Sequence, residues 1–156
     1  MDGGHDLVDR LGHRDAVLLR PVAVAEGHRA LGHVVVARGE LVYAILNLYP
    51  YNSGHVLVCP YRHVADYTDL TVAETAEFAE FTQRSLHALR QASAPQGFNI
   101  GINLGSVAGA GIAAHLHQHV VPRWGGDTNF MPVVGRTRVL PQLLADTRKI
   151  LADAWP

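Results

Sequence analysis

Three histidines, His115, His117 and His119, alternate with Leu116 and Gln118 and lead into Val120-Val121-Pro122-Arg123-Trp124. Alternation running into an apolar pair is β-strand patterning, and in a strand residues two apart share a face. The pattern predicts a row of three imidazoles on one side of a sheet, with Leu116, Gln118 and Val120 on the other. Such a row can hold a metal ion, perform nucleophilic and acid–base chemistry on an anion, or decorate a surface. Decoration explains it poorly, because clustered rings lose solvation and repel one another when protonated. Metal binding has a model in zinc sites built from three histidines and a water. Against it, the outer residues of a flat strand lie about 13 Å apart at 3.3 Å per residue, a long span for Zn–N bonds of ~2.0–2.1 Å. No acidic residue lies within the strand to help.

The loop ahead of the row favours an anion. Gly105, Gly109 and Gly111, with Ser106 between them, allow backbone N–H groups to approach a ligand closely and form a concave donor nest. A phosphate held there lies beside the central ring, His117. Neutral imidazole is a competent nucleophile toward phosphorus, and its phosphoramidate product is readily attacked in turn. Small residues also suit tight turns, so the loop tilts the choice and leaves the metal reading open.

The elements that must position these residues can be read along the chain. Residues 1–31 form an irregular arm of Gly, Asp, His and Arg with short apolar clusters. Its histidines, His5, His13 and His28, with His33 at the border, lack metal-ligand spacing and read as solvated side chains. Val34-Val35-Val36 and Leu41 to Leu46 are β-prone runs joined by a hairpin turn at Arg38-Gly39-Glu40. Asn47 to Gly54 is a turn-rich connector, and His55 to Pro60 is a strand apolar on both faces and therefore central. Thr71-Val72-Ala73-Glu74 has capping-box spacing and opens one long helix to about Ala92. Val72, Ala76, Ala79, Leu86 and Leu89 form its apolar stripe, and Ser93-Ala94-Pro95-Gln96-Gly97 stops it. Phe98 to Leu104 alternates as a fourth strand, and the histidine run is the fifth. Pro141 to Ala154 predicts a short C-terminal helix with Leu143, Leu144 and Ile150 as its stripe. The fold class is α+β, an antiparallel sheet of about five strands packed on one long helix.

The totals narrow the function. A chain of 156 residues has room for one domain with a proper core. Charged residues are 17% of the chain and the net charge is −1, which gives no case for nucleic acid as the partner. The single cysteine, Cys59, excludes an internal disulfide and any Cys-rich zinc site, and reads as an inert core thiol. No apolar run is long enough for a membrane span and the first residues lack signal-peptide patterning, so the expected location is the cytoplasm. Arg123 is expected to contact phosphate rather than to be a bare strand-end charge, and Tyr49, Tyr51 and Tyr61 to serve packing.

His115-Leu116-His117-Gln118-His119-Val120-Val121 resembles the signature of the histidine triad (HIT) superfamily, three histidines alternating with apolar residues before an apolar pair. Gln118 departs from it at one apolar position, on the face away from the row. Asn47 and Gly54 to Pro60 resemble nucleoside-binding strands of the fragile-histidine-triad branch. Asn99 to Gly105, and His119 through Arg123-Trp124-Gly125-Gly126-Asp127 to Phe130, are most similar to actinobacterial diadenosine tetraphosphate phosphorylases. The resemblance spans roughly residues 32–155, so that residues 32–156 form the HIT domain.

The resemblance implies a HIT-like fold, a homodimer joined through a strand and the long helix, and a two-step nucleotidyl transfer on dinucleoside polyphosphates. It makes His117 the nucleophile at the α-phosphorus, His119 the group that stabilises the phosphate and leaving oxygen, and His115 the residue that orients His117 through its carbonyl. His55 packs beside the triad, Asn47 accepts the ribose hydroxyls, and Ile45 and Leu57 line the base pocket. Asn103, Gly109 and Gly111 frame the phosphates, with Ser106 able to supply a hydroxyl. No protein-bound metal or cofactor is implied, though magnesium can accompany the nucleotide. The phosphorylases carry a hydroxyl residue where this chain has Gly111, which leaves phosphate or water as the second acceptor. A hydrolase of nucleoside phosphoramidates or other nucleotide conjugates, and a non-catalytic nucleotide-binding protein, are the alternatives. Uridylyltransferases of the superfamily replace the third histidine with glutamine, whereas His119 is retained; deadenylases that act on DNA carry a zinc finger and a basic surface that this composition does not supply.

Overall fold

The computed structural model describes residues 34–127 and 142–156; the expectations for the arm fall outside them. Strand β1 (Val35–Arg38) turns back on β2 (Val42–Leu46) through a hairpin that only glycine permits at its tip. A Cβ on Gly39 would lie 2.0 Å from the Glu77 carboxylate and 2.8 Å from the Phe81 ring. That carboxylate accepts the N–H groups of Glu40 and Leu41 at 2.8 and 2.7 Å, so a helix side chain satisfies the turn. β3 (Val56–Pro60), β4 (Gly97–Ile102) and β5 (Gln118–Arg123) complete one antiparallel sheet in the order β1-β2-β3-β5-β4. β3 is central and buried along its whole length, as its two apolar faces require.

Helix α1 (Val72–Ser93) begins with the expected capping box, in which Thr71 Oγ1 accepts from Glu74 N and the Glu74 carboxylate accepts from Thr71 N. Glu74 also takes Arg62 in a two-pronged pair; this hydrogen bond, first among several, holds its carboxyl down at about 2. The core-facing stripe differs from the expected one. Phe78, Phe81, Ser85, Ala88 and Leu89 are buried, whereas Val72 is 89% exposed and Ala76 and Ala79 face outward. The two phenylalanines bring far more apolar area than the alanines, and they set the rotation of the helix. Helix α2 (Leu144–Asp153) packs near β1 and α1 through Leu151, and Trp155 reaches the Phe81 ring at 5.5 Å. Leu143, expected in its stripe, is 74% exposed, and Ile150 is also exposed.

Residues directly opposite in an antiparallel ladder share a face. Gln118 donates to Thr82 Oγ1 of α1 at 2.7 Å, so Gln118, Val58 and Ala44 lie on the helix side of the sheet. The next row, His119, Leu57 and Ile45, therefore lies on the other side. The departure of Gln118 from an apolar residue thus serves packing against α1, away from the histidines. Among the described residues, no helix is long and apolar enough to cross a membrane.

Candidate active site

β5 starts at Gln118, so the sheet ladder reaches only the last of the three histidines. His119 sits in it, opposite Leu57 of β3 and Gly101 of β4. His115 to His117 lie on the approach, where the Leu116 N–H bonds to Val64 O at 2.7 Å. Two-residue alternation no longer governs residues held to Val64 instead of to the sheet, and the expected row of three equivalent rings is not formed. His117 and His119 meet edge-on with ring centres 5.0 Å apart, while the His115 ring turns to His63 at 5.3 Å.

The hydrogen bonds assign a proton to each ring. His117 Nδ1 lies 2.9 Å from the carbonyl oxygen of His115, which can only accept, so Nδ1 carries the hydrogen. The lone pair of His117 is then on Nε2. His55, wholly buried, receives the Tyr51 backbone N–H on its Nδ1 at 3.1 Å, so its own hydrogen is on Nε2. That hydrogen points at His119 Nδ1, 2.9 Å away, which leaves the His119 hydrogen on Nε2. One lone pair (His117 Nε2) and one donor (His119 Nε2–H) therefore stand on neighbouring rings. Burial, with the neighbouring His117 ring as a smaller cause, lowers His119 to about 4, so it stays neutral at ordinary pH. His115 is also lowered to about 4, first by burial and then by His63, against a hydrogen bond to the Pro60 backbone.

The remaining expected residues divide into two groups. Leu57 and Ile45 continue the His119 row across β3 and β2, and both are buried. Asn47 sits beside His55, its Nδ2 3.4 Å from His55 Nδ1 and its Oδ1 accepting from Tyr49 N at 3.0 Å. One step beyond the Ile102–Gln118 pair stand Asn103 and His117, at the mouth of the glycine loop. Asn103 Nδ2 donates to Gly109 O at 3.4 Å. Gly105 and Gly109 take left-handed backbone (φ 78° and 83°) around a single 3-10 turn at Ser106–Ala108. The loop differs from the expected open nest: the N–H groups of Ala108, Gly109 and Ala110 turn to its own carbonyls. Gly111 has ordinary φ, and a Cβ there would meet nothing within 4 Å.

Arg123 pairs with Asp127 through Nε and Nη2 at 2.6 and 2.8 Å and donates to Asn99 at 2.7 Å, so it is no bare strand-end charge. The packing expected of Tyr49 and Tyr51 is corrected, and Tyr49 is 46% exposed. Tyr51 is 54% exposed, not packed in the core, and its ring lies 4.9 Å from His55 and 5.7 Å from His119. Tyr61 does pack, against Tyr43 at 5.0 Å, and Cys59 is fully buried with its thiol pushed up to about 12 by burial. Sequence reasoning missed the Tyr51 N–H, whose role is carried by backbone and leaves no side-chain signature. It also missed His63 and the link from Asn52 to Asp127, contacts between distant parts of the chain. Among the described residues, no group of three or more His, Cys, Asp or Glu is disposed to hold a metal ion.

A model of the HIT domain matches residues 29–126. Over 122 residues the chain is 57% identical to a Mycobacterium tuberculosis protein named AP-4-A phosphorylase, covering 78% of this chain and 63% of that one. It thus spans less than two thirds of that relative's length. Among solved structures, a histidine triad nucleotide-binding protein from Sulfolobus tokodaii superposes with a TM-score of 0.70 at 27% identity, covering 86% of this chain and 89% of that one. A zinc-bound histidine triad family protein from Mycobacterium smegmatis superposes with a TM-score of 0.63 at 33% identity, covering 77% and 81%.

Proposed function

The chain belongs to the HIT domain family, and on that footing we propose that it cleaves dinucleoside polyphosphates, diadenosine tetraphosphate foremost, through a nucleotidyl-histidine intermediate. The observation that carries this reading is the bond from His117 Nδ1–H to the His115 carbonyl, which leaves Nε2 as a free nucleophile. In the first step His117 Nε2 bonds to the α-phosphorus and the P–O bond to the departing nucleotide breaks. The His115 carbonyl supports the positive charge that the ring then carries. His119 Nε2–H donates to the phosphate and leaving oxygens as their charge grows. In the second step an acceptor oxygen attacks phosphorus, loses its proton and releases His117. Inorganic phosphate as the acceptor gives ADP and ATP in total; water gives AMP and ATP. The identity to the mycobacterial protein favours phosphate, and Gly111, with no hydroxyl, favours water.

In this reading Asn47 holds the ribose, Ile45 and Leu57 floor the base pocket, and Asn103, Ser106, Gly109 and Gly111 border the phosphates. The protein binds no metal of its own, and magnesium arrives with the polyphosphate. The enzyme is a cytoplasmic homodimer. The outer edge of β4, with Ile100 47% exposed in the middle of the strand, supports sheet-to-sheet pairing of two copies.

Incubation with diadenosine tetraphosphate, with and without inorganic phosphate, tests the reaction. Formation of ADP and ATP only when phosphate is present is the expected result, together with one adenylyl group trapped on His117 by rapid quenching and mass spectrometry. Cleavage without an adenylated protein rejects the covalent path. Light scattering of the purified chain tests the dimer.

A further inference from the structure

Asn52 and Asp127 stand outside the reacting groups and hold the loop that sets their protons. The Asn52 side-chain amide donates to Pro122 O at 3.1 Å and to Asp127 Oδ2 at 2.8 Å, bridging the loop between β2 and β3 to the end of β5. Asp127 is itself fixed. Its carboxylate also accepts from Trp124 N at 3.0 Å and from Arg123 Nε and Nη2, and its side chain is only 9% exposed. Such a buried, charge-assisted hub is a stiff anchor.

The anchored loop leads straight to the histidines. Asn52 O accepts the His55 N–H at 3.1 Å, and the preceding residue, Tyr51, gives its N–H to His55 Nδ1. Gly54, at φ 80°, closes the loop against β5 and α1, where a Cβ would lie 3.0 Å from Leu89 and 3.4 Å from Pro122. The consequence is directional. While Tyr51 N–H stays on His55 Nδ1, His55 must donate to His119, and His119 must present a donor on Nε2. If the loop moves and His55 Nδ1 takes up the hydrogen, His55 Nε2 becomes an acceptor. His119 then turns its hydrogen to Nδ1 and presents a lone pair from Nε2, which repels a phosphate oxygen.

We propose that Asn52 and Asp127 are positioning residues that, by clamping the Tyr51 N–H onto His55, keep His119 in the tautomer that donates to phosphate. The catalytic consequence rests on the nucleotidyl-transfer reading above; the tautomer itself does not. The test is therefore made first on the unliganded protein, by nitrogen-15 NMR of the imidazole rings. Wild type is expected to show His119 protonated on Nε2, and Asn52→Ala to show a substantial Nδ1-protonated fraction. With the adenylyl-transfer assay, Asn52→Ala is then expected to lose about tenfold or more in kcat, the scale of lost supporting contacts, with KM nearly unchanged. Asp127→Asn, which keeps the shape and one acceptor, serves if Asn52→Ala does not fold, with the same shift expected in smaller degree. A folded variant whose His119 remains wholly Nε2-protonated overturns the proposal, as does a kcat loss that merely tracks the unfolded fraction. If the rings shift but neither protein cleaves nucleotide, the positioning stands and the nucleotidyl-transfer reading fails.

Discussion

His117 and His115 are two residues apart, yet their rings live in opposite circumstances. The His117 ring joins His119 and His55, where a carbonyl, a backbone N–H and a ring-to-ring bond determine which nitrogen holds each hydrogen. The His115 ring is buried beside the exposed His63, and its Nδ1 has no hydrogen-bond partner among the described residues. Burial lowers both His115 and His119 to about 4, so loss of solvent alone does not distinguish the two rings. What distinguishes them is a bonding chain that ends in an outward lone pair or donor. His115 belongs to that chain through its carbonyl, not its ring.

The largest effect is expected at His117. On the proposed mechanism His117→Asn removes the attacking nitrogen, and turnover is expected to fall by roughly 10³-fold or more while nucleotide binding measured by calorimetry is kept. Near-normal turnover would reassign the nucleophile. His119→Gln keeps an N–H donor but loses the ring that His55 aligns, and a loss of about 10²-fold in kcat is expected, the scale of one misplaced transition-state donor. Stopped-flow measurement of the adenylylation step, against release of the second nucleotide, shows which half-reaction depends on it.

How much of this was legible in the sequence depends on the range of the interaction. The strands are written locally, in runs such as Val56-Leu57-Val58, and the helix start in the Thr71–Glu74 box. Apolar spacing alone does not set the rotation of α1, because it counts Ala76 and Ala79 like Phe78 and Phe81, although only the phenylalanines bury enough area to choose a face. The histidines mark the candidate site by type and spacing. Period-two alternation then overreached by three residues, because the Leu116–Val64 bond that ends it joins segments about fifty residues apart. The protons on His55 and His119 were beyond reach for a similar reason: a backbone N–H fixes them, and any residue at position 51 except proline supplies one.

Acid sharpens the contrast through stability. His115 and His119 stay neutral in the folded protein down to about 4, whereas an unfolded chain protonates its histidines near 6.5. Protons therefore bind the unfolded chain first, and stability present above pH 6.5 drains away as pH falls toward 4, by on the order of 3 kcal/mol for the buried His115 and by less for His119, whose partial exposure screens it. Glu74, lowered chiefly by Arg62, loses its contribution in a lower window, from 4.5 toward 2. Urea midpoints measured in half-unit steps of pH should fall first across the histidine window. A flat midpoint between 6.5 and 4.5 would mean that neither ring is held neutral.

The smallest effect is expected at His115 itself. His115→Leu fills a similar volume, removes the orphaned Nδ1 and gives up the bond to the Pro60 backbone. Those two changes oppose each other, so stability at pH 7.5 should move by no more than about 1 kcal/mol. The carbonyl that holds His117 Nδ1 is backbone and survives the substitution. Turnover should accordingly fall less than tenfold, far short of the effect at His119, although both residues belong to the same three-histidine motif. Because one of the two buried neutral rings is gone, the variant should also lose less of its urea midpoint between pH 6.5 and 4.5 than the wild type. A loss of turnover matching His119→Gln would place the His115 ring in the reaction and erase the distinction between the two histidines, even with the carbonyl still in place.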